Sequence, residues 1–93
     1  MAKENKLALR LLTPHAEAIE LEADEVTLPG QLGELGILPG HLPLLSPLRE
    51  GQVGVKEGKM THRYAISEGM LEVLPDKVTV LVERAELVED RLA

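Results

Sequence analysis

The sequence predicts an all-β chain, a β-sandwich of short antiparallel strands with at most a short C-terminal helix. Three observations carry that expectation. Six Pro and eight Gly cut the 93 residues into short segments, with Pro29-Gly30, Pro39-Gly40 and Pro75-Asp76 as the clearest breaks. Between the breaks, apolar residues recur with a period of two, the spacing of a half-buried strand. The apolar residues are nearly all aliphatic, with one Tyr and no Phe or Trp, so the core is built from Leu, Val, Ile, Ala and Met. At this length the chain is one domain, residues 1–84, followed by a short helical or frayed tail over 85–93.

The elements follow in order. Lys6–Leu12 alternates Leu7, Leu9 and Leu11 against Ala8, Arg10 and Leu12. Ala18–Asp24 places Ile19, Leu21 and Ala23 inward and Glu20, Glu22 and Asp24 outward. The apolar set then moves to Val26 and Leu28, a slip of one residue, which predicts a β-bulge near Asp24-Glu25. Gln52–Val55, Thr61–Ile66, Met70–Leu74 and Val78–Glu83 continue the series, with polar turns at Lys56–Lys59 and Pro75–Lys77. Val78–Val82 is apolar on nearly both faces and belongs at the centre of a sheet or under a partner. Over 85–93 the spacing of Ala85, Leu87, Val88 and Leu92 fits a helix too short to stand alone.

Several functions are excluded by composition. A formal charge of −6 repels a phosphate backbone, and one aromatic residue offers no stacking platform, so nucleic acid is not a partner. Without Cys there is no disulfide framework, thiolate metal site or thiol nucleophile. The apolar run Leu7–Leu12 is too short for a signal-peptide core, and no stretch is long enough for a spanning helix. The chain is therefore expected not to cross a membrane, though a partner can hold it against one.

Catalytic patterns are missing as well. Glu20, Glu22 and Asp24 read as the solvated face of an edge strand. His15, His41 and His62 are scattered without metal-ligand spacing. Ser46 and Ser67 lie outside any nucleophile elbow, and the Gly33, Gly36 and Gly40 spacing matches no phosphate loop. The reading is of a protein with no catalytic residues, no cofactor and no metal. A small hydrolase using the carboxylate face would need a concave pocket where the alternation predicts a flat one.

One stretch does stand out. Leu35-Gly36-Ile37-Leu38-Pro39-Gly40-His41-Leu42-Pro43-Leu44-Leu45 packs six aliphatic side chains around turn-formers, more than a small interior can hold. Part of it is expected at the surface as a partner site. With its preceding residues, Gly33 to Leu45 resembles the signature of the ε subunits of F-type ATP synthases. Ile66-Ser67-Glu68-Gly69-Met70-Leu71-Glu72-Val73 resembles that family's Ser-Gly-Gly-x-Leu-Glu-Val segment, with Glu68 in place of the first Gly. Val78-Thr79-Val80-Leu81 followed by Glu83-Arg84-Ala85-Glu86 resembles its last strand and the start of its C-terminal helices.

The resemblance implies a β-sandwich in the central stalk, a non-catalytic rotor component docking the γ subunit to the c ring of a proton-translocating ATP synthase. It implies a peripheral place on the cytoplasmic face of the bacterial inner membrane, or the organellar equivalent. By matching position, Glu34 faces the c ring, while Leu38, His41, Leu42 and Leu45 face γ together with part of a neighbouring sheet face. Longer family members carry a two-helix C-terminal hairpin, with a nucleotide motif in some, beyond the span this chain covers. The competing expectation is a free-standing β-sandwich adaptor or binding module.

Overall fold

The computed structural model describes residues 6–92; residues 1–5 of the expected sandwich domain and Ala93 of the expected tail lie outside the described residues. Ten strands follow one another: β1 Leu7–Leu12, β2 Ile19–Ala23, β3 Glu25–Gly30, β4 Gly33–Ile37 and β5 Leu44–Leu48, then β6 Gly51–Glu57, β7 Met60–Ile66, β8 Gly69–Leu74, β9 Lys77–Val82 and β10 Ala85–Leu92. They form one hydrogen-bonded path, β10-β7-β6-β3-β5-β8-β9-β1-β2, with β4 added on β3. β3 meets β5 only at Gly30 and Leu48, so the path turns there and the sheet closes over itself. One layer holds β10, β7, β6, β3 and β4; the other holds β5, β8, β9, β1 and β2.

The interior explains the closure. Alternate residues of both layers meet in one aliphatic cluster that includes Leu7, Leu9 and Leu11, Val26 and Leu28, Val53 and Val55, Leu71 and Val73, and Val78 and Val80. Each such side chain, fully buried, contributes about 1.5–3 kcal/mol relative to exposure. Among the described residues no polar or charged side chain is buried, and Tyr64 supplies the one aromatic ring. β9 lies between β8 and β1, the central position its apolar sequence predicts. It pairs with β1 in parallel, the one departure from the antiparallel expectation, and the intervening strands provide the crossover that a parallel pair needs.

Two expectations are corrected. The tail 85–93 is not helical: Ala85–Leu92 is strand β10, paired antiparallel with β7 along its length. A register shift between Leu87 and Glu89 explains the helical look of the spacing. Ala85 and Leu87 oppose Ile66 and Tyr64, the extra residue Val88 flips the phase, and Leu92 then opposes Met60. The phase slip at Asp24-Glu25 is real but is a corner rather than a bulge. β2 pairs with β1 in one layer, β3 pairs with β6 in the other, and the bend at Asp24 lets Ala23 and Val26 both point inward.

That corner is pinned electrostatically. The Asp24 carboxylate accepts a hydrogen bond from Lys6 Nζ at 2.6 Å and another from the backbone N–H of Gly58 at 2.6 Å. Gly58 has φ +59°, and its β6–β7 turn is thereby tied to the corner. A second tie is Ser67, whose Oγ accepts from the amides of Glu83 and Arg84, both at 3.0 Å, fixing the passage from β9 to β10. Its neighbour Gly69 lies so close to β9 that a Cβ there would meet the Leu81 carbonyl oxygen at 2.0 Å.

Two predictions follow from these contacts. Gly69→Ala forces the β8 and β9 backbones apart and lowers stability in urea by about 1–3 kcal/mol. Gly36→Ala in β4, whose new Cβ meets only the Glu25 carboxylate at 3.7 Å, leaves the midpoint nearly unchanged. Equal effects would remove the close-approach argument. The second concerns pH. The Lys6 hydrogen bond, then the Gly58 amide, hold the Asp24 carboxyl below its ordinary value of 3.8. A depressed carboxyl stabilises the fold above its unfolded value, and that contribution fades as pH falls through the folded value. Lys6, raised chiefly by the same bond, extends it on the alkaline side until pH climbs through the lysine's own titration. The stability gap between parent and Asp24→Asn, measured by urea unfolding, is therefore full at neutral pH and closes below about pH 4. A gap that persists at pH 2 would mean the effect is not ionic.

Candidate docking surface

The expected contact residues fall at two ends of one edge. Glu34 is exposed and sits in β4, opposite Pro29 of β3, one residue past the hairpin turn at Gln31-Leu32. Gly33, the first residue of β4, has φ +142°, a backbone conformation that favours glycine. Leu32, fully exposed, projects beside it, and a shallow groove runs from this hairpin to Ser46 and Pro47 of β5. Leu38 lies just past the opposite end of β4, four residues and about 13 Å along an extended strand from Glu34.

The aliphatic stretch divides as a limited interior requires. Ile37 is buried, and Leu35 and Leu44 pack against the core. Leu38, Leu42 and Leu45 stand outside, 56%, 79% and 72% exposed. The loop between β4 and β5 is held by Gly40, with φ +87°, whose N–H donates to the Pro75 carbonyl at 2.7 Å. His41 is half-buried; its Nδ1 lies 2.6 Å from the Leu42 carbonyl oxygen, and its N–H donates to the Leu38 carbonyl at 3.2 Å. It shapes the loop, and the flanking leucines offer the surface.

Sheet register names the residues of the neighbouring sheet face that the sequence left unnamed. On the outer face of the second layer, Pro47 of β5 opposes Met70 of β8, Met70 opposes Leu81 of β9, and Leu81 aligns with Leu12 of β1. The result is an apolar row across four strands, with Leu45 two residues from Pro47 on the same face. Met70 and Leu81 are about half exposed. The signal in the sequence is the lack of alternation in Val78–Val82; the partners of Leu81 come from strands remote in the chain. The adjoining row, Glu72, Thr79, Arg10 and Glu20, is polar, and Arg10 Nε donates to Glu20 Oε2 at 3.1 Å.

The opposite outer face is charged and largely self-satisfied. Glu89 of β10 forms ion pairs with Arg63, at 3.3 Å from its Nε, and with Arg91, at 3.1 Å from its Nε. Arg63 and Arg91 line a shallow depression over Gly54 with Glu25, Thr27, Lys56 and Thr61. Among the described residues, no three His, Asp or Glu side chains converge to hold a metal ion, and no helix is long and apolar enough to cross a membrane.

Comparison with known proteins agrees with this geometry. The family described as the β-sandwich domain of the ATP synthase delta/epsilon chain matches residues 6–88. The ATP synthase epsilon chain of Anoxybacillus flavithermus is 43% identical over 84 residues, covering 90% of this chain and 63% of that protein. ATP synthase epsilon chain 2 of Syntrophotalea carbinolica is 44% identical over 81 residues, covering 87% and 59%. The chain thus spans about three fifths of the length of these relatives. Among solved structures, a chain of the Euglena gracilis mitochondrial ATP synthase, in an assembly of OSCP, F1 and c-ring, superposes with a TM-score of 0.82 at 26% identity, covering 89% of this chain and 54% of that one. A chain of the Tetrahymena thermophila mitochondrial ATP synthase central stalk and c-ring shares the fold, with a TM-score of 0.70 at 16% identity over 89% of this chain and 67% of that one. With three ordered sequence motifs, the sandwich and these relatives in agreement, the chain belongs to the ATP synthase delta/epsilon-chain β-sandwich family.

Proposed function

We propose that this chain is the sandwich portion of a central-stalk ε subunit, which fastens γ to the c ring of an F-type proton-translocating ATP synthase. It performs no chemistry itself and is held at the cytoplasmic face of the bacterial inner membrane, or the organellar equivalent, through the complex. The observation that carries this reading is the exposed apolar row Pro47–Met70–Leu81–Leu12, continuous with Leu45 and approached by the loop bearing Leu38 and Leu42. A lone soluble domain gains nothing from such a row, whereas a permanent stalk contact buries it as its apolar centre. The names of the relatives favour this reading over a free-standing adaptor.

The surfaces divide by strength. Burying the row against γ supplies the affinity, with a few anchors dominating. Glu34 meets the polar loops of the c ring, where an exposed ion pair is worth only about 0–1 kcal/mol and is screened by salt. One such pair cannot hold the stalk on the ring, so the apolar γ contact supplies most of the attachment.

Each surface has its own test. Leu42→Asp and Leu81→Asp each weaken binding to purified γ about ten-fold or more, as a lost anchor does, measured by calorimetric titration. Both variants keep the parent circular dichroism, because both side chains are exposed. Unfolding of Leu42→Asp would make it a core residue, and unchanged affinity in both would remove γ from this face. For Glu34, the measure is proton pumping per ATP hydrolysed in membranes reassembled with the variant subunit. Glu34→Lys lowers coupling by adding repulsion that loosens the sandwich from the ring, while Glu34→Gln loses only a weak attraction and stays near parent. Equal behaviour of the two would end the electrostatic account.

A further inference from the structure

β10 is an edge strand whose attachment depends on few side chains. One of its backbone edges pairs with β7, and the other is the open end of the sheet path. Its residues are mostly exposed, with Ala85 and Glu89 alone half-buried among those described. Beside its backbone ladder to β7, two side-chain polar contacts among the described residues tie it down, on opposite faces. Outside, Glu89 bridges Arg63 and Arg91. On the other face, Asp90 pairs directly across from His62, and the His62 Nδ1 is hydrogen-bonded to the Asp90 carboxylate. The ring's other nitrogen, Nε2, lies 3.9 Å from Glu57 Oε1 at the end of β6. The imidazole is thus gripped between two carboxylates from two different strands, with its side chain only 13% exposed.

The remaining groups around it are few. From β7 itself comes Tyr64, whose phenol is raised by burial first and the Asp90 charge second. Beyond Glu57 lie Lys6, Asp24 and Glu22, whose charges couple to one another through Lys6. Lys6 is already bonded to Asp24, so Glu57 keeps a charge to offer the ring.

We propose that His62 is a pH-operated clasp for β10, fastening the strand as an imidazolium between Asp90 and Glu57 and loosening it when the ring is neutral. Carboxylates stay ionised throughout the range in which histidine titrates. Below that range, the charged ring hydrogen-bonds Asp90 through Nδ1 and faces Glu57 at ion-pair distance through Nε2. Above it, the neutral ring keeps a proton for Asp90 but the charge attraction to both carboxylates is gone. β10 then opens more often, baring the unpaired backbone groups of β7, an edge able to accept another strand.

Amide hydrogen exchange, followed by NMR on the whole chain and corrected for intrinsic rates, reads the clasp. The reference is the central pair β8–β9, far from His62 in the strand order. The protection of β10 relative to that pair falls about two- to five-fold between about pH 5.5 and 8, the worth of one partly exposed ion pair. His62→Gln flattens this ratio. Asp90→Asn, on the exposed strand, also reduces the fall and decides the matter should the first variant not fold. Glu89→Gln lowers protection equally at both pH values and leaves the ratio's pH dependence intact. A flat ratio in the parent chain, or an undiminished fall in His62→Gln or Asp90→Asn, would overturn the proposal.

Discussion

Everything in this structure depends on one constraint: two five-stranded layers, β10-β7-β6-β3-β4 and β5-β8-β9-β1-β2, share a single aliphatic interior. Without Phe or Trp, Tyr64 is the one ring in the core, so density comes mostly from many small contacts among Leu, Val and Ile. Branched side chains have few rotamers and fit a pleated surface closely, which makes the packing exacting. Gly69 shows the consequence: β8 and β9 approach until no side chain fits between the Gly69 Cα and the Leu81 carbonyl. A sandwich packed this tightly moves as a body, which suits the proposed place in a central stalk.

The same constraint dictates the outside. In a strand, choosing the inner residues chooses the outer ones. Once Leu71, Val73, Val80 and Val82 are buried, Met70 and Leu81 must face out, whatever water would prefer. The register then aligns them with Pro47 and Leu12. An apolar outer residue is ordinary when solitary; a row across four strands is not. Inner and outer sequences of β9 are both apolar because the strand has a core on one side and, in the proposed assembly, γ on the other.

How much of this was legible in the residues depended on whether the signal was local. Ile19, Leu21 and Ala23 against Glu20 and Glu22 announced a strand, and the slip to Val26 announced a change of face. That the change is a corner between layers could not be read locally, because it depends on β2 finding β1 while β3 finds β6. The strands at Gly33–Ile37 and Leu44–Leu48 were hidden by glycine and proline, which sit at an edge and beside turns where a sheet tolerates them. Over Ala85–Leu92 the local signal misled, since one bulge converts a period of two into helix-like spacing. Leu38, Leu42 and Leu45 were separable in principle from Ile37 only by counting interior space. Leu12, Met70 and Leu81 became neighbours through pairings across the whole chain.

The two outer faces also differ in what they leave unsatisfied. On the β10–β7–β6–β3 side, Arg63, Arg91 and Glu89 bond to one another, so a partner arriving there must first replace contacts the protein already makes. Exposed ion pairs return about 0–1 kcal/mol each, which leaves little net gain for that exchange. On the β5–β8–β9–β1 side, nothing is replaced except water, and each aliphatic side chain taken from partial exposure to full burial returns a sizeable part of about 1.5–3 kcal/mol. A few such residues outweigh many rearranged ion pairs. The asymmetry thus selects the face: in the proposed assembly, permanent attachment belongs to the apolar side, and isolated charges such as Glu34 orient the sandwich without holding it.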